Sequence, residues 1–189
     1  MRPHGPLRFG DLSPATAIIH RDLERIVSSE VGLNNSISHA LEEQDLDALR
    51  GQYEANGQLL VIEDFLPEQV LDGALADLGR LRSLIHRNYV PRQKKGGAVS
   101  RHSIDREAEM IAHLYRSPAL RDFLEAITGA TLLDCPATDP HTYALYLYNE
   151  PGDHIGWHYD TSFYRGRRFT LLFGLVDNES CKLECELHR

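Results

Sequence analysis

The chain has 189 residues, 42% hydrophobic and 25% charged, which suits one folded domain with a real core, with or without a helical extension. A formal net charge of −8 and a pI near 5.6 argue against a nucleic-acid-binding face, which needs a clustered basic excess. No apolar run approaches the ~20 residues of a membrane span. The three cysteines, Cys135, Cys181 and Cys185, are an odd number that fits reduced thiols in a cytoplasmic protein better than a disulfide framework.

Ser13 and Pro14 predict a helix start, as N-cap and first helical residue, with Ile18, Ile19, Leu23, Ile26 and Val27 on one stripe. A second helix is predicted within SISHALEEQDLDALRGQYEANG, ending at Asn56-Gly57, where glycine takes the left-handed conformation of a helix end. Leu59 to Ile62 read as a short strand. Pro67 then opens a helix with Val70, Leu71, Ala74, Leu75, Leu78 and Leu81 at 3.6-residue spacing. The Lys-, Gly- and Ser-rich stretch that follows, including PRQKKGG, reads as a loop to about Ser103. A helix pair is predicted in DREAEMIAHLYRSPALRDFLEAITGA, broken at Ser117-Pro118 and stopped at Gly129. From Thr131 onward TYALYLYN, FTLLFGLV and CKLECEL have strand composition and are separated by turn residues. The division is a helical segment, 1–56, and a domain of helices followed by strands, 57–189.

His158 and Asp160 stand two apart, so on an extended strand both side chains point to one face. Imidazole nitrogen and carboxylate oxygen are the ligand mix of the two-histidine, one-carboxylate iron(II) site. YNEPGDHIGWHYD followed by RRFTLLFGL resembles the core of the iron(II)/2-oxoglutarate-dependent oxygenases, the prolyl-hydroxylase-like group in particular. GQLLVIEDFLPEQVLDGALADL and LYRSPALRDFLEAITG resemble that family's first strand and helix and the helix before its barrel. The resemblance spans about residues 55–187.

That resemblance implies an α+β protein built on a double-stranded β-helix of the jelly-roll or cupin kind, preceded by helices. It implies His158 and Asp160 as iron ligands and catalytic residues, with Tyr148, Arg168 and Thr170 toward 2-oxoglutarate. Fe(II), 2-oxoglutarate and O2 would be the cofactors, and succinate and CO2 the co-products. Halogenating members of the family replace the ligand carboxylate with a small residue, so Asp160 implies hydroxylation of an unactivated C–H bond. SRHSID and WHYDTSFYRGRR resemble the branch acting on free amino acids, which includes halogenases. In that branch Arg101 would pair with the carboxylate of a small-molecule substrate.

The chain ends 29 residues after Asp160. The family's distal histidine and its basic co-substrate residue normally come later, so the reading is of a truncated oxygenase with an incomplete barrel and weak iron binding. His188, the one histidine after His158, is the in-chain candidate for the third ligand. Open barrel edges would pair with a second copy to give a homo-oligomer. The competing readings are a non-catalytic oxygenase-like module and a zinc site from Cys181, Cys185 and His188.

Overall fold

The computed structural model describes residues 32, 34–159, 165–176 and 182–186. The helix expected after Ser13 lies outside them. The second predicted helix is divided at Asp45. Residues 34–42 are helical (α1), and Asp45 then caps α2 (Leu46–Ala55), its carboxylate accepting the Ala48 amide at 3.0 Å. The end of α2 is as predicted, with Asn56 as C-cap and Gly57 at φ 67°.

The 59–62 segment is extended but joins no ladder, contrary to the expected strand. Leu60 and Ile62 instead insert among the helices. The helix α3 (Glu68–Leu81) buries Val70, Ala74 and Leu81 of the predicted stripe, and Asp77 with them. A single 3-10 turn, Arg82–Leu84, leads out of it.

The expected loop up to Ser103 is an antiparallel hairpin and the start of a helix. β1 (His86–Val90) pairs with β2 (Lys94–Ser100) in the register His86↔Ala98 to Val90↔Lys94. Its turn places Pro91 where φ is preset and Arg92 at φ 64°, closed by the Gln93 amide donating to Val90 O at 2.9 Å, a type II arrangement. Helix α4 (Arg101–Glu107) follows β2 directly. Helices α5 (Glu109–Arg116) and α6 (Pro118–Thr128) form the predicted pair. Buried Ser117 caps α6 by accepting the Leu120 amide at 3.3 Å, and Gly129 ends it at φ 65°.

β3 (Ala144–Leu147) lies within the predicted TYALYLYN, and β4 (His154–Ile155) follows. Both run antiparallel along the edge of β2 that β1 leaves open: Gly97↔Leu147 to Ser100↔Ala144 for β3, and Lys95↔His154 and Lys94↔Ile155 for β4. β2 is therefore the centre of a four-stranded open sheet. This corrects the expected double-stranded β-helix. Among the described residues no second sheet closes on the first, because 169–176 and 182–186 have no ladder partners. The α+β class stands. No helix among the described residues is long and apolar enough to cross a membrane.

Two cores form. In the first, Ile37 and Leu41 of α1, Tyr53 of α2 and Leu120, Phe123 and Ile127 of α6 surround Val70 and Leu114. In the second, the sheet lays Val99, Leu145 and Leu147 on Leu81, Ile104, Ala108 and Ala112. Helices α3 and α5 serve both, with Val70 and Leu114 in one core and Leu81 and Ala112 in the other. Complete burial of Leu81 and Val99 contributes about 2 kcal/mol each by area transfer.

Asp77 joins these shared helices. Its side chain is fully buried; Oδ2 accepts the Ile111 amide at 2.9 Å, and Oδ1 pairs with Arg80. Arg80 Nε also donates to Glu107 O at 3.1 Å, so one helix caps the amino end of the next. Asp77→Ala should lower unfolding free energy by about 2 kcal/mol, the cost of an unsatisfied buried amide and a lost cap. Asp72→Ala on the exposed face of α3 should change it by less than about 0.5 kcal/mol. Urea unfolding followed by circular dichroism measures both.

Candidate functional site

His158 lies just beyond β4, and the backbone leading to it is fixed step by step. After the β4 ladder, the Gly156 amide donates to Gln93 O at 2.7 Å. The His158 ring then places Nδ1 2.8 Å from Gly156 O. A carbonyl only accepts, so Nδ1 is the donor in this contact, as in metal-ligating histidines whose second nitrogen binds a backbone carbonyl. The residue is exposed, between Trp157 and Tyr159, which are 71% and 76% exposed. His154 repeats the pattern, its Nδ1 2.9 Å from Gly152 O.

The donor type and orientation of His158 fit a metal ligand. Asp160, the predicted second ligand, and His188, the third, lie outside the described residues, as does Cys181 of the alternative zinc set. Cys185 is exposed. Among the described residues no cluster of three or more His, Cys, Asp and Glu side chains is arranged to hold a metal.

Tyr148 is half-buried, with its ring on Gly96: a Cβ there would lie 2.9 Å from Tyr148 Cε1. Arg168 and Thr170 are exposed in the irregular 165–176 segment, in which Phe173 stacks on Phe65 at 6.2 Å between ring centroids. Arg101 opens α4 at the opposite end of β2 from His158, roughly 20 Å away at ~3.3 Å per residue of strand. The structure thus brings Tyr148 and His158 to one region of the sheet and keeps Arg101 apart from them.

Arg101 belongs to a polar cluster that sequence reasoning missed. Its Nε donates to Asp105 at 3.3 Å, and its Nη1 donates to Asp139 O at 3.0 Å and Thr142 Oγ1 at 3.2 Å. Asp105 is the hub, also accepting from the Tyr143 hydroxyl and from Arg116. Burial raises the Asp105 pKa, but the Tyr143 hydroxyl, Arg116 and Arg101 outweigh it and hold the carboxyl below its ordinary value. Burial, then Asp105, pushes Tyr143 up. Tyr115, 4.7 Å from the Tyr143 ring, is pushed up to about 12 by burial and by Cys135. An open groove of about 550 Å³ runs beside this cluster, lined by Arg80, Asp105, Arg116 and His113 among others. A second, of about 690 Å³, lies between 35–44 and 64–69, and neither is lined by His158. The Arg101–Asp105 spacing of four on a helix was the signal that could have found the cluster.

A second missed group holds the 148–153 loop between β3 and β4. Asp153, whose side chain is 1% exposed, accepts the amides of Asn149 at 3.1 Å and Glu150 at 3.0 Å. Arg87 of β1 clasps it with both terminal nitrogens, Nη1 at 3.0 Å from Oδ2. Lys95 donates to Pro151 O at 2.6 Å.

The fold is mixed α+β, with a helix-backed sheet and an exposed histidine just beyond β4. The family model of Halogenase D matches residues 41–165, about two thirds of the chain, and the protein belongs to that family. No curated protein sequence matches the chain. The assignment marks the protein as an enzyme and corrects the reading as a hydroxylating iron(II)/2-oxoglutarate dioxygenase of the prolyl-hydroxylase-like group. That reading took the choice of hydroxylation from one carboxylate, Asp160, and the barrel from the resemblance over about residues 55–187. The family match covers residues 41–165, a range that includes the helices from α2 to α6, the hairpin, β3 and β4.

Asp153 also gives a pH dependence. The Arg87 fork, with the Asn149 and Glu150 amides, holds its pKa down to about 2, against about 3.9 in an unfolded chain. Its stabilisation is therefore complete above about pH 4 and is lost as pH falls through about 2. Asp153→Asn should lower the melting temperature at neutral pH, and the difference from wild type should close in acid. Thermal melts across that range measure it.

Proposed function

We propose that this protein catalyses carbon–halogen bond formation on a small polar molecule, a free amino acid being the leading class. The site is placed at the β4 end of β2, with His158 as its centre. The observation that carries the reading is membership of the Halogenase D family over a stretch that contains β2, β4 and His158. The Nδ1-to-carbonyl orientation of His158 supports it.

In this proposal His158 holds a metal ion, and Asp160 is not one of its ligands, since a halide needs the place that carboxylate would take. Fe(II), with 2-oxoglutarate and O2, would supply the oxidising power that joining a halide to carbon requires. The chain's own part is to orient and enclose. Gly156 O accepts from His158 Nδ1, which would leave Nε2 as the nitrogen that holds the metal. Tyr148, next after β3 with its ring on Gly96, would contribute to the wall of the site. Arg168 and Thr170 would contribute from the 165–176 segment.

Incubation with Fe(II), 2-oxoglutarate, air, chloride or bromide and a panel of free amino acids tests this. The expected result is a product with the halogen isotope pattern by mass spectrometry, reduced by about 100-fold in His158→Ala. An oxygenated product without halogen, or an unchanged rate in His158→Ala, would overturn it.

A further inference from the structure

β4 is two residues long and makes a short ladder with Lys95 and Lys94. A pairing so short does not fix its own register, and a slip of one residue would turn every following side chain to the other face of the sheet. Something else must return the chain from the 148–153 loop at the right residue.

The loop grips β2 from both faces at Gly96 and Gly97. On one face the Tyr148 ring lies on Gly96. On the other, Arg87 faces Gly97 across the β1–β2 ladder and reaches over the β2 backbone to Asp153 on the far side. A Cβ at Gly97 would meet Ile85 Cγ2 at 2.8 Å and Leu147 Cβ at 3.4 Å, with Arg87 Nη1 at 3.6 Å. Only glycine gives both sides that approach. Asp153 completes the grip by accepting the Asn149 and Glu150 amides, and it directly precedes β4.

We infer that Arg87 and Asp153 are positioning residues for His158: their ion pair clips the 148–153 loop across Gly97 and thereby sets the β4 register from which the His158 ring is held. From Asp153 the path is continuous. His154 and Ile155 pair with β2, Gly156 binds Gln93 O, and Gly156 O receives His158 Nδ1–H. The role in function rests on the reading of His158 as a metal ligand, whereas the positioning itself can be read in metal-free protein.

The test is the imidazole ¹⁵N spectrum of uniformly labelled, metal-free protein, with cobalt(II) titration as a second readout. Wild type should show His158 as the Nδ1–H tautomer. Asp153→Asn and Arg87→Met should lose that preference while the amide peaks of α3 and α6 stay in place, and should weaken cobalt binding by about 10-fold. Arg87→Lys, which keeps the charge but not the fork, should fall between and covers the case in which the others do not fold. Retention of the Nδ1–H tautomer by Asp153→Asn, or by Arg87→Lys if that alone folds, would overturn the inference. Cobalt uptake unaffected by His158→Ala would overturn the metal reading alone, leaving the positioning role standing on the nitrogen shifts.

Discussion

The carboxylate of Asp77 is the constraint on which both layers depend. It is fully buried between the two helices that the cores share, and it ties α3 to the first turn of α5 through the Ile111 amide. Removing the tie would free α5 to shift along α3, and with it Leu114 in one core and Ala112 in the other. Gly73 shows how little play exists. A Cβ there would lie 2.5 Å from Met110 Cε, so the two helices already touch through a side chain and a backbone. A polar buried joint of this kind specifies one packing where an apolar contact would tolerate several.

The helical half was legible because its signals are local. Val70, Ala74 and Leu81 repeat at helical spacing, Ser117-Pro118 gives a cap and a first-turn proline, and Gly57 and Gly129 stop their helices in the left-handed region. Where the reading failed, the missing information was tertiary. Asp45 was hidden as a cap because good helix formers continue on both sides of it, Glu42, Glu43 and Gln44 before and Leu46, Ala48 and Leu49 after. The β1–β2 hairpin was hidden because β2 carries Lys94, Lys95, Gly96 and Gly97, residues poor in strand propensity. Those glycines are there for what crosses them, and the crossing groups lie far away in sequence. Leu60, Ile62 and Phe173 were read as strand residues from their type, yet they pack on helices, since composition does not distinguish a ladder from an extended docked segment.

The candidate site was legible to a comparable, limited degree. His158 lies in no strand but just beyond β4, with Gly156 O 2.8 Å from its Nδ1. What one ligand-type residue could not carry was the reaction. Asp160 was made to decide between hydroxylation and halogenation, whereas the family match draws on the whole of 41–165. Arg101, taken as a substrate contact, is bound by the protein's own Asp105, Asp139 carbonyl and Thr142, which makes it a tie between α4 and the approach to β3. One polar cluster sits at the α4 end of β2 and the other crosses its middle at Gly97, and both join elements distant in sequence, with the Arg87–Asp153 pair 66 residues apart and the Tyr143–Asp105 pair 38.

The way β2 acquires its partners has a consequence for the order of assembly. The Pro91–Arg92 turn lets β1 meet β2 across a short loop, and α4 starts at the next residue after β2. β3 can pair only after the chain has run through three helices and returned, closing a loop of about 45 residues between Ser100 and Ala144. Loop-closure entropy and a turn with preset dihedrals both favour the hairpin first, backed by α3 and α4. The β3–β4 edge is then expected to dock as a unit on a surface already formed. Pulse-labelled hydrogen exchange during refolding would show the Lys95–Val99 amides protected in two stages according to the edge they face. The same central strand would then be template early in folding and scaffold for the histidine late.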